Sequence, residues 1–236
     1  MRNSLFLGVL LAGILLLTAA LAFMIIADDS SVSVHVNDNS RDNSYTPMAP
    51  LATMKTSDLV MVTNNKGSGA RVNMTIYRPK TLDEGWYWIG DLVETSYNAP
   101  TQQVMLVHAN DSSALAAPVD WKYVYSDYGS GADLDTSVWI PVPPTGYVAL
   151  GCVAVQGYKK PVLPGFRCVN KSYCVDGTEG SMIWNDKGSH GRYDIALWSV
   201  TPADASSLDA LTFWARGDYY ETPADNVYCL NTAMTT

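Results

Sequence analysis

Phenylalanine and histidine are scarce in this chain of 236 residues, with 4 and 3 copies, and cations are outnumbered by acids, 15 to 23. With a net charge of −8 and no run of Lys or Arg, the surface repels nucleic-acid phosphates and anionic lipid alike, so neither is an expected partner. The three histidines, His35, His108 and His190, and the four cysteines, Cys152, Cys168, Cys174 and Cys229, include no C-x-x-C pair, which excludes the usual zinc spacings. There is no G-x-S-x-G, no H-E-x-x-H and no phosphate-cradling glycine loop that opens a helix. No catalytic residue, metal or cofactor is therefore assigned, and a non-enzymatic protein is expected. Ser68, Ser130 and Ser189 lie in glycine turns, where a hydroxyl that bonds its own backbone is the ordinary role.

Long apolar runs are also lacking, with one exception. Residues 5–27 are apolar apart from Thr18, long enough to span a bilayer as a helix. With Arg2 before it and Asp28-Asp29 after it, the segment reads as a signal-anchor, or as a signal peptide cut near Ala20-Leu21-Ala22. Either reading of residues 1–27 places the rest of the chain in the secretory pathway, as a single-pass membrane protein or a secreted one. Residues 28–50, rich in Ser, Asn and Asp, read as a polar stalk with too little apolar surface to fold. Residues 51–236 are long enough for one folded domain. An even number of cysteines outside the cytosol predicts disulfides; of three connectivities, Cys168 with Cys174 and Cys152 with Cys229 is favoured. Glycosylation acceptors stand at Asn73, Asn110 and Asn170.

What the domain has in quantity is punctuation: 17 glycines and 12 prolines separate short runs of strand character, such as Asp58–Thr63 and Val119–Tyr125. A block of about sixty residues is written three times. Its first glycine, Gly67, Gly129 and Gly188, precedes an aromatic residue by ten positions in every copy: Tyr77, Trp139 and Trp198. Later come Gly85–Asp91 and Gly146–Cys152 in two copies, and Tyr97, Tyr158 and Tyr220 each three residues before a proline. Gly217 is aligned with Gly90 and Gly151. His190 replaces Gly69 and Gly131, and its neighbour Gly191 is expected to take over the strained conformation. The repeats, about 58–100, 120–161 and 181–223, each predict some four strands folded about a glycine hairpin. Three such sheets sharing one core make the expected fold all-β and β-prism-like, preceded by the N-terminal hydrophobic helix.

The phrases Ser137–Gly151 and Asp127–Ala132, with Tyr77–Lys80, Phe166–Val169 and Ile183–Ser189, resemble the vacuolar protein sorting-associated protein 62 family over about Val60 to Val200. The resemblance implies the fold and a trafficking connection; it carries over no catalytic residue. The chain departs from the pattern at Cys152, where the first copy has Asp91, and in its shortened third copy.

Tyr and Trp together number 21 against four Phe, so most rings bring a polar handle suited to half-exposed platforms. Trp86, Trp88, Tyr128, Tyr147, Tyr158, Tyr219 and Tyr220 are the candidate ligand-binding residues, with Trp139, Trp184 and Trp198 assigned to the core. Asp127, Asp133, Asp135, Asp186 and Asp194 flank two turns but fit no calcium-loop spacing. Arg216-Gly217-Asp218 is an integrin-type tripeptide with a structural reason for its glycine. The expected function is an extracytosolic domain that recognises a glycan or glycosylated partner. The alternative, from the family resemblance, is a vacuolar or endomembrane sorting or scaffold protein.

Overall fold

In the computed structural model, which describes residues 48–219 and 227–236, the three glycine turns share one hydrogen-bond plan. Each opens with an Asn or Asp whose Oδ1 accepts the N–H nine residues on: Asn65 from Met74 at 2.7 Å, Asp127 from Thr136 at 2.9 Å, Asp186 from Ile195 at 3.1 Å. The serine three residues after it donates its N–H to the Asx carbonyl, and its Oγ accepts the N–H two residues further, at 3.2 Å in every copy. The turn needs two left-handed residues. Gly67 and Gly69, then Gly129 and Gly131, supply them with φ of +77 to +86°. In the third copy Gly188 is followed by His190 at φ +56°. Gly191 does not relieve it, because the inter-repeat bonding fixes which residue must turn.

Strand β1 (Leu51–Thr56) precedes the first repeat, which comprises β2 (Leu59–Asn64), β3 (Thr75–Pro79), β4 (Trp86–Trp88), β5 (Leu92–Glu94) and β6 (Val104–Ala109). After β7 (Leu115–Ala116) the second repeat runs through β8 (Asp120–Ser126), β9 (Thr136–Val142), β10 (Tyr147–Val148), β11 (Val153–Gln156) and β12 (Cys168–Asn170). The third is β13 (Cys174–Asn185), β14 (Ala196–Pro202), β15 (Ser207–Leu208), β16 (Phe213–Arg216) and β17 (Tyr228–Asn231). Within each repeat the first, second and fourth strands form an antiparallel sheet: β2-β3-β5, β8-β9-β11 and β13-β14-β16. The third strand leaves that sheet to pair with the fifth, giving β4-β6-β1, β10-β12-β7 and β15-β17-β13. A register shift falls at the same place in all three first strands, between Met61 and Thr63, Tyr123 and Tyr125, and Met182 and Trp184. The sheets are therefore all-β and antiparallel, with five strands per repeat rather than about four.

A closed cycle of backbone hydrogen bonds joins the three turns. The residue after each Asx offers its carbonyl to the N–H five residues further along in the next copy: Asp133 to Lys66 at 2.7 Å, Arg192 to Tyr128 at 3.0 Å, Arg71 to Lys187 at 3.0 Å. Beneath it lies the main core, to which the copies contribute matching residues: Ile76, Val138 and Leu197 from the second strands, Val93, Ala154 and Ala215 from the fourth. A second core gathers Val107, Val169 and Leu230 from the fifth strands over Ile89, Leu150 and Ala210. Each large aliphatic side chain so buried contributes about 1.5–3 kcal/mol relative to exposure.

The structure corrects two further expectations. Gly217 is not the partner of Gly90 and Gly151. Both of those glycines abut Thr212, with a Cβ at either falling 2.5 Å from its side chain, and Asp91, Cys152 and Phe213 follow one another in hydrogen bonds of 3.0 and 2.9 Å. The disulfides are not formed: all four cysteines are free thiols. Cys152 lies in the main core, Cys168 in a cluster with Trp88 and Phe166, Cys174 beside the second core, and Cys229 with Val200 and Val227. Cys174 and Cys229 do lie on paired strands, but opposite Leu230 and Val175, so they face opposite sides of the ladder. Burial, the largest cause throughout, pushes the thiols of Cys152, Cys168 and Cys174 up to about 12 and that of Cys229 to about 11. The hydrophobic helix over residues 5–27, nearly all of the 28–50 stalk, and Tyr220 lie outside the described residues. Among the described residues no helix is long and apolar enough to cross a membrane.

Two outcomes are expected. Because thiols held protonated and buried react poorly, iodoacetamide at neutral pH leaves the native protein almost unlabelled. Unfolding in urea without reductant then adds four adducts by mass spectrometry, whereas a chain with either bridge would add at most two. Secondly, Gly129→Ala costs about 1–2 kcal/mol from the left-handed conformation alone, since nothing lies within 4 Å of its Cβ position. Gly67→Ala costs more in the same urea titration, because its Cβ would stand 2.7 Å from Asp133 Oδ1 and 3.0 Å from the Gly131 carbonyl.

Candidate functional site

Each turn recruits a tyrosine from the loop after the fourth strand of its own repeat. Tyr97 donates its hydroxyl to Asn65 Oδ1 at 2.8 Å. Tyr158 donates between Asp127 and Asp135, at 3.0 and 2.9 Å, and Tyr219 between Asp186 and Asp194, at 2.7 and 2.9 Å. The residue after the Asx then covers the tyrosine ring. Lys66 stands 5.0 Å from the Tyr97 centroid and Lys187 4.6 Å from that of Tyr219, both cation–π contacts. In the second copy the cover is Tyr128, edge-on to Tyr158 at 6.0 Å and itself 57% exposed. Among the described residues only the second turn thus presents two aromatic rings in contact.

The electrostatics follow from the same contacts. Burial raises the Asp127 carboxyl above its ordinary value, and nearby Asp135 adds to it, against the Thr136 N–H and the Tyr158 hydroxyl, which favour the charge. The Tyr158 and Tyr219 hydroxyls are driven up by burial and by donating to carboxylates, so they stay protonated donors. Asn65, Asp127 and Asp186, with Ser68 and Ser189, line a cavity of about 10 Å³ above Tyr125 and Trp184, room for about one water.

Between the second and third repeats a further pair of tyrosines meets. Tyr123, four residues before Asp127, meets Tyr193, seven after Asp186, at 6.2 Å and 80°, and is backed by Trp139 at 5.3 Å. Arg192, whose N–H bonds the Tyr128 carbonyl, immediately precedes Tyr193, and its guanidinium lies 5.6 Å from the Tyr193 centroid. Tyr123 and Tyr193 are about two-fifths exposed. The equivalent positions in the other two seams are Met61 with Leu134 and Met182 with Val72, so the aromatic pair belongs to one seam only.

Of the residues singled out from sequence, the structure brings Tyr128 and Tyr158 together, and Tyr219 repeats the role of Tyr158 at the third turn. Trp86, Trp88 and Tyr147 belong instead to β4 and β10. Trp86 lies against His108, Trp88 is 5% exposed and edge-on to Phe166, and Tyr147 donates to the Ser113 carbonyl. Tyr97, Tyr123 and Tyr193 were missed. Their offsets from the Asx residues were readable, but Tyr123 and Tyr193 come from different copies and meet only through the cycle of turns. Arg216 is ion-paired with Glu179 at 3.3 Å and with Asp218 at 3.4 Å. Among the glycosylation acceptors Asn73 is exposed, whereas the amides of Asn110 and Asn170 donate to the Ala49 and Ser113 carbonyls. Among the described residues no group of three or more His, Cys, Asp or Glu is placed to hold a metal ion.

A family model described as "Vacuolar protein sorting-associated protein 62" matches residues 38–236. The solved structure of GNIP1Aa from Chromobacterium piscinae is similar, with 27% identity and a TM-score of 0.71 over 80% of this chain. The likeness covers 38% of that protein, so this chain spans well under half of it. A search of curated proteins finds no match.

The repeat itself supplies a test of the Asp127 environment, because the first copy has the neutral Asn65 in its place. A carboxyl raised by the fold stabilises fully below its unfolded value near 3.9 and loses that contribution as pH rises through the folded value. Asp127→Asn therefore melts higher than the parent at pH 7, and the difference shrinks toward pH 4. Lower stability of the variant at pH 7 in calorimetry would contradict the assignment.

Proposed function

Because the chain belongs to the vacuolar protein sorting-associated protein 62 family, we propose that its folded part is a non-enzymatic binding module of β-prism type that recognises a glycan or a glycosylated partner outside the cytosol. The observation that carries this reading is the seam between repeats two and three. Tyr128, Tyr158, Tyr123 and Tyr193 expose ring area there without cationic cover on Tyr128 or Tyr158. A pyranose face packs against such rings, and its hydroxyls find an acceptor in Asp135, beside the Tyr158 hydroxyl, and a donor in Arg192. The second turn, residues 127–135, holds three aspartates and no cation, which favours neutral sugars over acidic ones. The apolar run at residues 5–27 is the reason for placing the module beyond the cytosol, anchored or secreted.

Family membership favours a second reading, a sorting or scaffold role on endomembranes, and the location of a tagged full-length chain separates the two. For the first, the purified full-length chain on a glycan array is expected to bind neutral glycans. Tyr128→Ala combined with Tyr193→Ala should weaken binding by at least about tenfold, as for loss of an anchor worth ~1.4 kcal/mol. No retention of any sugar, or unchanged affinity in the double variant, would sink the reading.

A further inference from the structure

The residue that follows the buried second-strand aromatic in each repeat, Arg78, Ile140 or Ser199, occupies one equivalent position, and its surroundings differ in the three copies. Between repeats one and two, Arg78 forms a two-pronged pair with fully buried Asp91, at 2.9 and 2.7 Å. It also donates to the Ala154 carbonyl at 2.7 Å and lies 5.2 Å over the ring of Trp88. Between repeats two and three, Ile140 packs into the main core. Between repeats three and one the position holds Ser199, whose hydroxyl turns to the Ser181 carbonyl at 3.3 Å. The space that a long side chain fills in the other seams is left as a cavity of about 220 Å³.

Leu92, Val93, Ile183, Val200 and Leu211 supply its apolar lining, with the hydroxyl residues Ser199, Thr201 and Thr212 and exposed Gln102 completing the wall. Asp209 is the acidic residue in its lining. Register places that group: Leu208 on β15 opposes Leu230 as Tyr87 on β4 opposes Val107, so Asp209 stands where Trp88 lies beneath the Arg78 guanidinium. One Asp209 oxygen accepts the Leu211 N–H at 2.7 Å. Leu211 is an extra residue relative to Ile89-Gly90-Asp91 and Leu150-Gly151-Cys152, and adopts φ +55°, a conformation costly for a branched side chain. No Lys, Arg or His among the described residues lies within ion-pair distance of Asp209.

We propose that this cavity binds a guanidinium or ammonium group carried on an aliphatic stem, the chemistry that Arg78 supplies internally one seam away. The stem replaces missing apolar contacts, and the head pairs with Asp209 in a partly desolvated site where an ion pair is stronger than at the surface. The size suits it, since apolar cavities of ~150 Å³ already take a benzene-sized guest. This assignment is independent of the glycan reading.

The test titrates the full-length protein with n-butylguanidinium, n-butylammonium and n-butanol, followed by thermal shift and by NMR. The two cations are expected to saturate in the millimolar range and the alcohol to bind at least about tenfold more weakly. Asp209→Asn should remove the preference for the cations, and Ser199→Arg, which fills the cavity from within, should abolish binding. A peptide with a single central arginine, run in parallel, distinguishes a polypeptide side chain from a free amine: binding of both indicates the former, of the small cation alone the latter. Equal binding of butanol and butylguanidinium, an Asp209→Asn variant with undiminished cation preference, or no saturation by any probe overturns the proposal.

Discussion

The whole arrangement depends on a backbone able to turn left-handed twice within five residues. That conformation aims one carbonyl of each glycine turn at the neighbouring copy and one N–H at the other, so that Lys66, Tyr128 and Lys187 accept from Asp133, Arg192 and Arg71 in a closed cycle. A chain of L-residues adopts it reluctantly, which is why five of the six left-handed positions are glycine and the sixth, His190, is strained. The Asx side chain and the serine hydroxyl hold the turn from within. Three sheets that could not separately cover their apolar faces then share two cores.

Once that frame is fixed, the differences between copies are where chemistry can reside. The position that covers the recruited tyrosine is lysine, tyrosine and lysine, so among the described residues only the second turn exposes paired rings. The position beside the seam is arginine, isoleucine and serine, so one seam is ionic, one apolar and one open. The residue beneath it is tryptophan, alanine and aspartate, and this turns the open seam into a cavity with a carboxylate. Repetition sets the expected contact, and each departure from it can be read as a local change of chemistry against two internal controls.

Much of the fold was legible in the sequence because glycine turns leave a periodic mark that needs no knowledge of distant contacts. The ten-residue spacing from Gly67 to Tyr77, Gly129 to Trp139 and Gly188 to Trp198 reflects a hairpin of constant length, in which each aromatic follows the residue that enters the main core and is buried on the other face of its sheet. The return strands were harder to attach, since the two- and three-residue β10, β12 and β15 carry little pattern of their own. Gly217 lies 29 residues after Gly188, whereas Gly90 and Gly151 lie 23 and 22 after Gly67 and Gly129; at 24, with Leu211 as one extra residue, Thr212 stands in the glycine position.

The cysteines mark the boundary most clearly. Their number and the apolar run at residues 5–27 suggested bridges, but whether two thiols meet depends on which side of a ladder each faces, and the fold sends all four into different apolar clusters. The sequence by itself determined the repeat, the all-β class and the turn serines, because those follow from local backbone preference and residue type. Only the tertiary structure decided that Tyr123 and Tyr193 lie together, that Arg78 spans a seam and that Ser199 leaves one open, because each of those contacts joins residues from different copies whose proximity exists only once the cycle of turns has closed.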